Sequence, residues 1–337
     1  MARRALAALN RAAFRPDTSS PSLNSLLALT PGIFLGLYFF RLPALEMLLL
    51  ALLAGGAVQV GARRLRLPTP ARPLVAALVG VALVGPGASL VWAGVVALLA
   101  SLLEVARARL ATNLRLQLGV VCYALVLLVS RGALAAYLSP RTMLPGPEPI
   151  RLWLQAGSAA STSVDPVRLY VGNVPGPVFA TSLLGVALGA AWLWYARRLS
   201  LPVLLVFGLA AFACARLMGW SPLYQLVSGP LWFGAVFALA DRRLLPSSGA
   251  AAALLGIAAG VVAMAARVRG FGIESAPIAV AGLQVVVALV EGTGWLLANR
   301  RRLGRSAAVP SRPLAGVIPP PRGQRILSRA RPAPRQG

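Results

Sequence analysis

Ten stretches of nearly unbroken apolar sequence leave this chain few folds to adopt. They run approximately from 24 to 40, 43 to 62, 73 to 86, 88 to 105, 116 to 138, 178 to 196, 201 to 217, 226 to 240, 249 to 266 and 275 to 297. A helix needs roughly 20 apolar residues to cross the hydrocarbon core of a bilayer, with about 17–25 the usual range and shorter pieces where a helix is broken. Most of the stretches meet that length, and the third and eighth fall short of it. Runs such as Leu48 to Val58 and Val285 to Val290 are apolar on every side, so they face lipid or one another and are not amphipathic surface helices. Composition agrees: 58% of residues are hydrophobic and 12% charged, against about 45–50% and about 25% in an ordinary soluble domain.

The net charge of +25 comes from 33 basic residues, all of them Arg, against eight acids. Short cytoplasmic loops of membrane proteins carry the positive excess. With the N-terminus inside, twenty-five Arg fall in the inner segments and seven in the outer ones, with Arg131 inside the fifth stretch. Both termini are then cytoplasmic, and the charge is explained by topology rather than by nucleic acid. No cleavable leader is evident in residues 1–23, whose composition is rich in Ser, Thr, Pro and Arg. Residues 298–337 form a basic, Pro-rich tail with too little apolar area to fold. It reads either as a plain solvated tail or as one attracted to anionic lipids.

These observations predict an all-α polytopic membrane protein of about ten transmembrane helices. They divide as a cytoplasmic segment 1–23, a five-helix half 24–138, an outer loop 139–177, a second five-helix half 178–297 and the tail 298–337. An odd number of helices per half gives the halves opposite orientations. The short third member of each half then marks two inverted repeats with a site between them.

Several chemistries are excluded. With no His and only Cys122 and Cys214, far apart in apolar stretches, the chain holds neither a Ser-His-Asp triad nor a zinc cage. No metal-ligand set and no catalytic residue is expected, and the two Cys read as small hydrophobes. The Trp residues near the ends of the stretches, such as Trp192, Trp194, Trp220 and Trp295, read as interface anchors.

Candidate chemistry begins at Leu169-Tyr-Val-Gly-Asn-Val-Pro-Gly-Pro-Val-Phe-Ala-Thr-Ser-Leu-Leu-Gly185. Gly172 and Gly176 permit close backbone approach, and Thr181 and Ser182 add hydroxyls at a helix start, where free N–H groups favour a phosphate. This segment resembles the G-x-x-P-G-x-x-x-E-T-S-x-L-x-x-L-x-G stretch of the membrane subunits RnfD of the Rnf complex and NqrB of the sodium-translocating NADH:quinone oxidoreductase. Ser228-Gly-Pro-Leu-Trp-Phe-Gly-Ala-Val-Phe-Ala-Leu-Ala-Asp241, with Pro246 and Gly249, is similar to the family's G-G-L-x-x-G-A-x-F-M-A-T-D-P-x-x-x-P-x-x-x-G. Gly256 to Gly282, with Arg267, Gly270, Phe271, Gly272, Glu274 and Ala276, resembles a third segment, G-I-x-x-G-x-x-x-x-x-I-R-x-x-G-x-x-x-E-G-x-x-F-A. Ala180 stands where the family has Glu.

The resemblance implies a bundle of about ten helices that holds flavin within a redox complex. In the family, FMN is esterified to a Thr in a motif like S-G-A-T. The corresponding region here reads Gly157-Ser-Ala-Ala-Ser-Thr-Ser163, which makes Thr162 the implied acceptor and Ser161 the next. Because the motif is only partly reproduced, covalent FMN, noncovalent FMN and riboflavin all remain open, and an ordinary loop hydroxyl is the competing reading of Thr162. An Arg near the flavin would stabilise its anionic form, with Arg168 preferred to Arg151 for that role. Carboxylates within membrane segments are costly, so Asp241, Glu291 and Glu46 are ion-path candidates. An interfacial ion pair with Arg242 or Arg243 is the alternative for Asp241. Glu274 reads as a helix-start acid favoured by the dipole.

Two functional readings follow. In the first, the chain is an RnfD-like subunit that carries electrons through FMN in a complex coupled to Na⁺ or H⁺ movement. Its partners are then other Rnf/Nqr-like subunits, membrane lipid and a flavin transferase, and it is not an independent enzyme. The second reading is a stand-alone transporter, channel or anchor subunit on the same scaffold, without flavin.

Overall fold

The computed structural model describes residues 21–66, 72–110, 114–157, 159, 164–228 and 230–307. Residues 1–292 form one compact unit, and a second, 293–337, is helical as far as Ala307 among its described residues. Among the described residues the structure is all-helical, with two isolated bridges, Leu138 with Pro145 and Leu199 with Asp241.

Helix α1 (Pro21–Arg64) is two arms meeting at Arg41, whose φ of 51° and ψ of −119° are non-helical. Pro43 accounts for the break, because it offers no N–H to the preceding turn and disfavours helical geometry at Leu42. The sequence expectation of separate stretches ending at 40 and starting at 43 matches this. Helix α2 (Pro73–Ala82) opens on a proline at its first turn and is buried along almost its whole length. α3 (Leu90–Leu110) and α4 (Leu118–Val129) complete the first half.

Three short helices, α5 (Pro149–Ala156), α6 (Pro166–Val171) and α9 (Pro222–Val227), lie outside the apolar bundle. The second half comprises α7 (Leu183–Tyr195), α8 (Leu201–Leu217), α10 (Leu231–Gly234, running into a π turn over Ala235–Leu239), α11 (Gly249–Val268) and α12 (Ser275–Ala307). α1 packs on α2, α3 and α7, and α8 packs on α11.

Four described helical stretches are long and apolar enough to cross a membrane: Ser22–Arg64, Leu90–Leu110, Gly249–Val268 and Ser275–Thr293. Shorter apolar helices accompany them at Pro73–Ala82, Leu118–Val129, Leu183–Tyr195 and Leu201–Leu217. Leu98, Leu102, Leu205, Leu209, Leu254, Val286 and Leu289 point away from the protein. In water this surface would drive aggregation, whereas lipid solvates it.

The stretch expected to be helical over 116–138 stops at Val129. Gly132 adopts a left-handed φ of 88°, and the chain beyond runs extended, with the Leu134 and Ala136 carbonyls accepting from Gly85 and Gly87 N–H, each at 2.9 Å. Likewise the sixth helix begins at Leu183, later than 178, because Val178 and Phe179 N–H donate to the Val84 and Ala82 carbonyls at 2.8 and 3.1 Å. Those two bonds satisfy the broken end of α2. At the break of α10, Gln284 does the same work, donating to the Ala238 carbonyl at 2.9 Å and accepting from Gln117 N–H at 3.0 Å. Irregular backbone at membrane depth is stable only when its polar groups are satisfied in this way.

Candidate functional site

The three short helices and the loops around them build a polar cap at one end of the bundle. Glu148 caps α5 by accepting from Ile150 N–H at 2.6 Å, and Asp165 caps α6 through Val167 N–H at 2.9 Å. α9 is drawn onto α5 because the Tyr224 hydroxyl donates to the Pro149 carbonyl at 2.9 Å and its ring packs on Trp153, centroids 5.1 Å apart.

Beside this contact lies a cleft of about 700 Å³, lined by Trp153, Leu154, Gly157, Arg216, Gly219, Trp220, Ser221 and Pro222. Its size suits a small-molecule ligand. Two indoles and one guanidinium suit a planar aromatic ligand that carries negative charge. Gly157 is the last residue before the segment with the implied acceptors. Ser161 and Thr162 themselves lie outside the described residues. A second, apolar cleft of about 480 Å³ adjoins at Ser221, between α6 and α9.

The other sequence-predicted cofactor residues do not line the 700 Å³ cleft. Gly172 ends α6 in a left-handed conformation, φ 91°, and a Cβ there would come 2.7 Å from the Ser182 Cα. Its glycine is needed to turn the chain into α7. Gly176 packs against the Thr181 side chain. The Thr181 hydroxyl is buried and donates to the Pro177 carbonyl, while Ser182 caps α7 by accepting from Gly185 N–H at 3.1 Å. Arg168 sits half-buried in the last turn of α6. The cation at the cleft is Arg216, and Trp220, read from sequence as an interface anchor, forms part of its wall.

Deeper in the cap is a buried polar cluster, of which the sequence marked Arg267 and Glu274 singly and Glu148 not at all. Arg267, fully buried on α11, donates to the Gln225 carbonyl at 2.7 Å, the Gln225 side-chain oxygen at 2.8 Å, the Ser228 carbonyl at 3.3 Å and the Ser275 hydroxyl at 3.3 Å. Nearby, Glu148 and Glu274 are both buried and both crowd Gly272: a Cβ at that position would collide with Glu148 Oε1 and lie 3.1 Å from Glu274 Oε2. Only glycine allows the two carboxylates this approach. The Tyr137 hydroxyl donates to Glu274 Oε1 at 2.9 Å. Arg151, half-exposed, approaches Glu148 to 3.6 Å and Glu274 to 3.7 Å. Burial first, and the Glu274 charge second, push the Glu148 carboxyl up to about 7, against the opposing pull of the Ile150 and Arg151 amides and the Arg151 guanidinium.

The ion-path candidates lie elsewhere, and two of them, Asp241 and Glu291, pair with arginines. Asp241 pairs with Arg198 at 3.0 Å and accepts from Arg243 N–H at 3.1 Å. Glu291 lies 3.6 Å from Arg115, whose guanidinium also donates to the Leu245 carbonyl. Glu46 is exposed on the second arm of α1. Glu104, not singled out from the sequence, is buried and holds Arg107 at 2.7 Å and Arg72 N–H at 3.3 Å. Among the described residues no cluster of three or more acids, His or Cys could hold a metal ion.

A bundle of apolar helices, two of them broken and repaired by hydrogen bonds, under a polar cap with an aromatic cleft, defines a polytopic membrane protein. Residues 13–292 match the NQR2, RnfD, RnfE family, and the chain belongs to it. It is therefore a membrane subunit of the Rnf/Nqr type. No curated protein matches the chain.

Proposed function

We propose that the chain is the RnfD-like subunit of an ion-translocating electron transport complex of the inner membrane, and that it binds FMN in the cleft of the cap. The observation that carries this reading is the placement of Trp153, Trp220 and Arg216 around a cleft that Gly157 borders, immediately before the Thr162 segment. When bound, FMN would supply the one- and two-electron chemistry that the polypeptide lacks. Trp153 and Trp220 would cover its ring plane and exclude water, while Arg216 would stabilise negative charge on the reduced ring or the phosphate. Thr162, or failing it Ser161, would tether the phosphate; Arg168 and the buried Thr181 and Ser182 would shape the loop rather than touch the ligand. Riboflavin would fit the same walls without a tether.

On this reading the five helices of 24–138 and the five of 178–297 form two inverted repeats, about ten spans in all, with both termini cytoplasmic and the cap outside. Support comes from the two short, broken helices α2 and α10, which occupy the third place in each half. Asp241, Glu291 and Glu46 remain the ion-path candidates, and other Rnf/Nqr-like subunits, a flavin transferase and lipid are the proposed partners.

The test is flavin fluorescence of the protein co-expressed with a flavin transferase. A band that survives denaturation and vanishes with Thr162→Ala supports tethered FMN. Flavin released from the native protein, and lost with Arg216→Ala, supports noncovalent binding. A protein dark in both states overturns the flavin reading in favour of a flavin-free transporter or anchor subunit, which solute flux in liposomes would then separate.

A further inference from the structure

We propose that Glu148 and Glu274 form a proton-binding site at the capped end of the bundle, in which the two carboxyls share one proton carried by Glu148. Four observations converge on it. First, both side chains are buried, and their oxygens meet over the bare Cα of Gly272. Two adjacent buried carboxylates do not both remain charged unless cations or donors compensate them. Second, Glu148 Oε1 is buried without a hydrogen-bond partner among the described residues, while its other oxygen takes Ile150 N–H. An unpartnered carboxylate oxygen is expensive, whereas a carboxyl O–H aimed at a neighbouring carboxylate is satisfied.

Third, the cations around the pair are accounted for. Arg267 spends its donors on Gln225, Ser228 and Ser275 and reaches Glu148 only through its field. Arg151 is half-exposed and stands beyond hydrogen-bond length of both acids. Tyr224, which also lies within the field of Glu148, donates its hydroxyl to the Pro149 carbonyl. Fourth, the oxygen inventory suits a proton rather than a metal ion. Among the described residues no third acid joins the pair, and Tyr137 presents a donor to Glu274 where a cation would need a lone pair.

Protonation is a simple addition: a proton from water bonds to Glu148 Oε1 and the charge of the pair falls from two negatives to one. Tyr137 fixes Glu274 as the acceptor, and the buried Tyr123 of α4, within hydrogen-bond reach of Tyr137, continues the row into the bundle. The same short helix, α5, carries Glu148 at its N-cap and Trp153 and Gly157 of the cleft at its other end. The site does not depend on flavin, so its failure would leave the flavin reading standing.

The test is infrared difference spectroscopy of the full-length protein without flavin, titrated with acid in detergent. The wild type should show a protonated-carboxyl stretch that titrates near neutral pH, loses its amplitude in Glu148→Gln and has the same midpoint in sodium and choline chloride. With Glu148 intact, Glu274→Gln should lower the midpoint by about one pH unit or more, because the neighbouring charge is gone. A missing band, a band that persists in Glu148→Gln, an unchanged midpoint in Glu274→Gln, or a midpoint that moves with sodium would each overturn the proposal.

Discussion

The two ends of the bundle treat their acids in opposite ways. At the end away from the cap, each described acid has its own arginine: Glu104 with Arg107, Asp241 with Arg198 and Glu291 with Arg115. At the capped end, Glu148 and Glu274 are pressed together beside one half-exposed Arg151, while the buried Arg267 is committed to amides and hydroxyls. Burying two carboxylates around one glycine is costly, because both lose their hydration. A separate ion pair needs only structural reasons. A crowded one in a cap beside a cleft is where perturbed titration and function tend to coincide.

The largest effect should come from removing the cation that organises the cap. Arg267→Met leaves the Gln225 and Ser228 carbonyls without their donor and takes a compensating charge away from Glu148. Each buried acceptor left without its donor costs about 1–3 kcal/mol. The thermal midpoint, followed by Trp fluorescence because Trp153 and Trp220 belong to the same cap, should fall by far more than for any substitution at the opposite end. A fall no greater than that of Glu291→Gln would break the contrast.

A smaller effect sharpens it. The Glu148 carboxyl ordinarily titrates near 4.5 and is raised to about 7 in the folded chain. Between those values the native state holds a proton that the unfolded state has released, so stability falls as pH rises. The contribution is greatest below about 4.5, is lost progressively as pH approaches 7 and is level above it. Glu148→Gln should flatten the profile of thermal midpoint against pH across this window. An equally steep profile in the variant would assign the dependence to another group.

The sequence carried the bundle better than the site, and the reasons are physical. Apolar length is a local property, so the stretches could be read directly, and Pro43 marked the break in α1. The end of α4 was misread because apolar sequence resumes after Ser130-Arg131-Gly132 and runs on to Leu138. What ends the helix is the left-handed Gly132 and the pairing of Leu134 and Ala136 with Gly85 and Gly87, a contact across some fifty positions. The site is almost wholly long-range. Trp153 and Gly157 meet Arg216 and Trp220 only because Tyr224 ties α9 to α5, and Glu148 meets Glu274 across most of the second half. No periodicity announces such pairs. Two signals were nonetheless present: Glu148-Pro149, an acid before a proline at a helix start, and Arg267, a cation at the end of an apolar stretch inside a family segment.

The smallest effect belongs to an ion-path candidate of α12, Glu291. Glu291 stands 3.6 Å from Arg115, and both side chains are about a third exposed (36% and 32%), a geometry too long for a hydrogen bond. Partly exposed pairs of this kind contribute roughly 0–1 kcal/mol and weaken as salt screens them. Arg115 also keeps its bond to the Leu245 carbonyl when the acid is neutralised. Glu291→Gln should therefore leave the thermal midpoint within about 1 kcal/mol of wild type, with the difference shrinking at high salt. A loss exceeding that of Glu148→Gln at pH 6, or one that salt does not diminish, would mean that this end of the bundle also holds an acid under strain, and that ion handling is not concentrated at the cap.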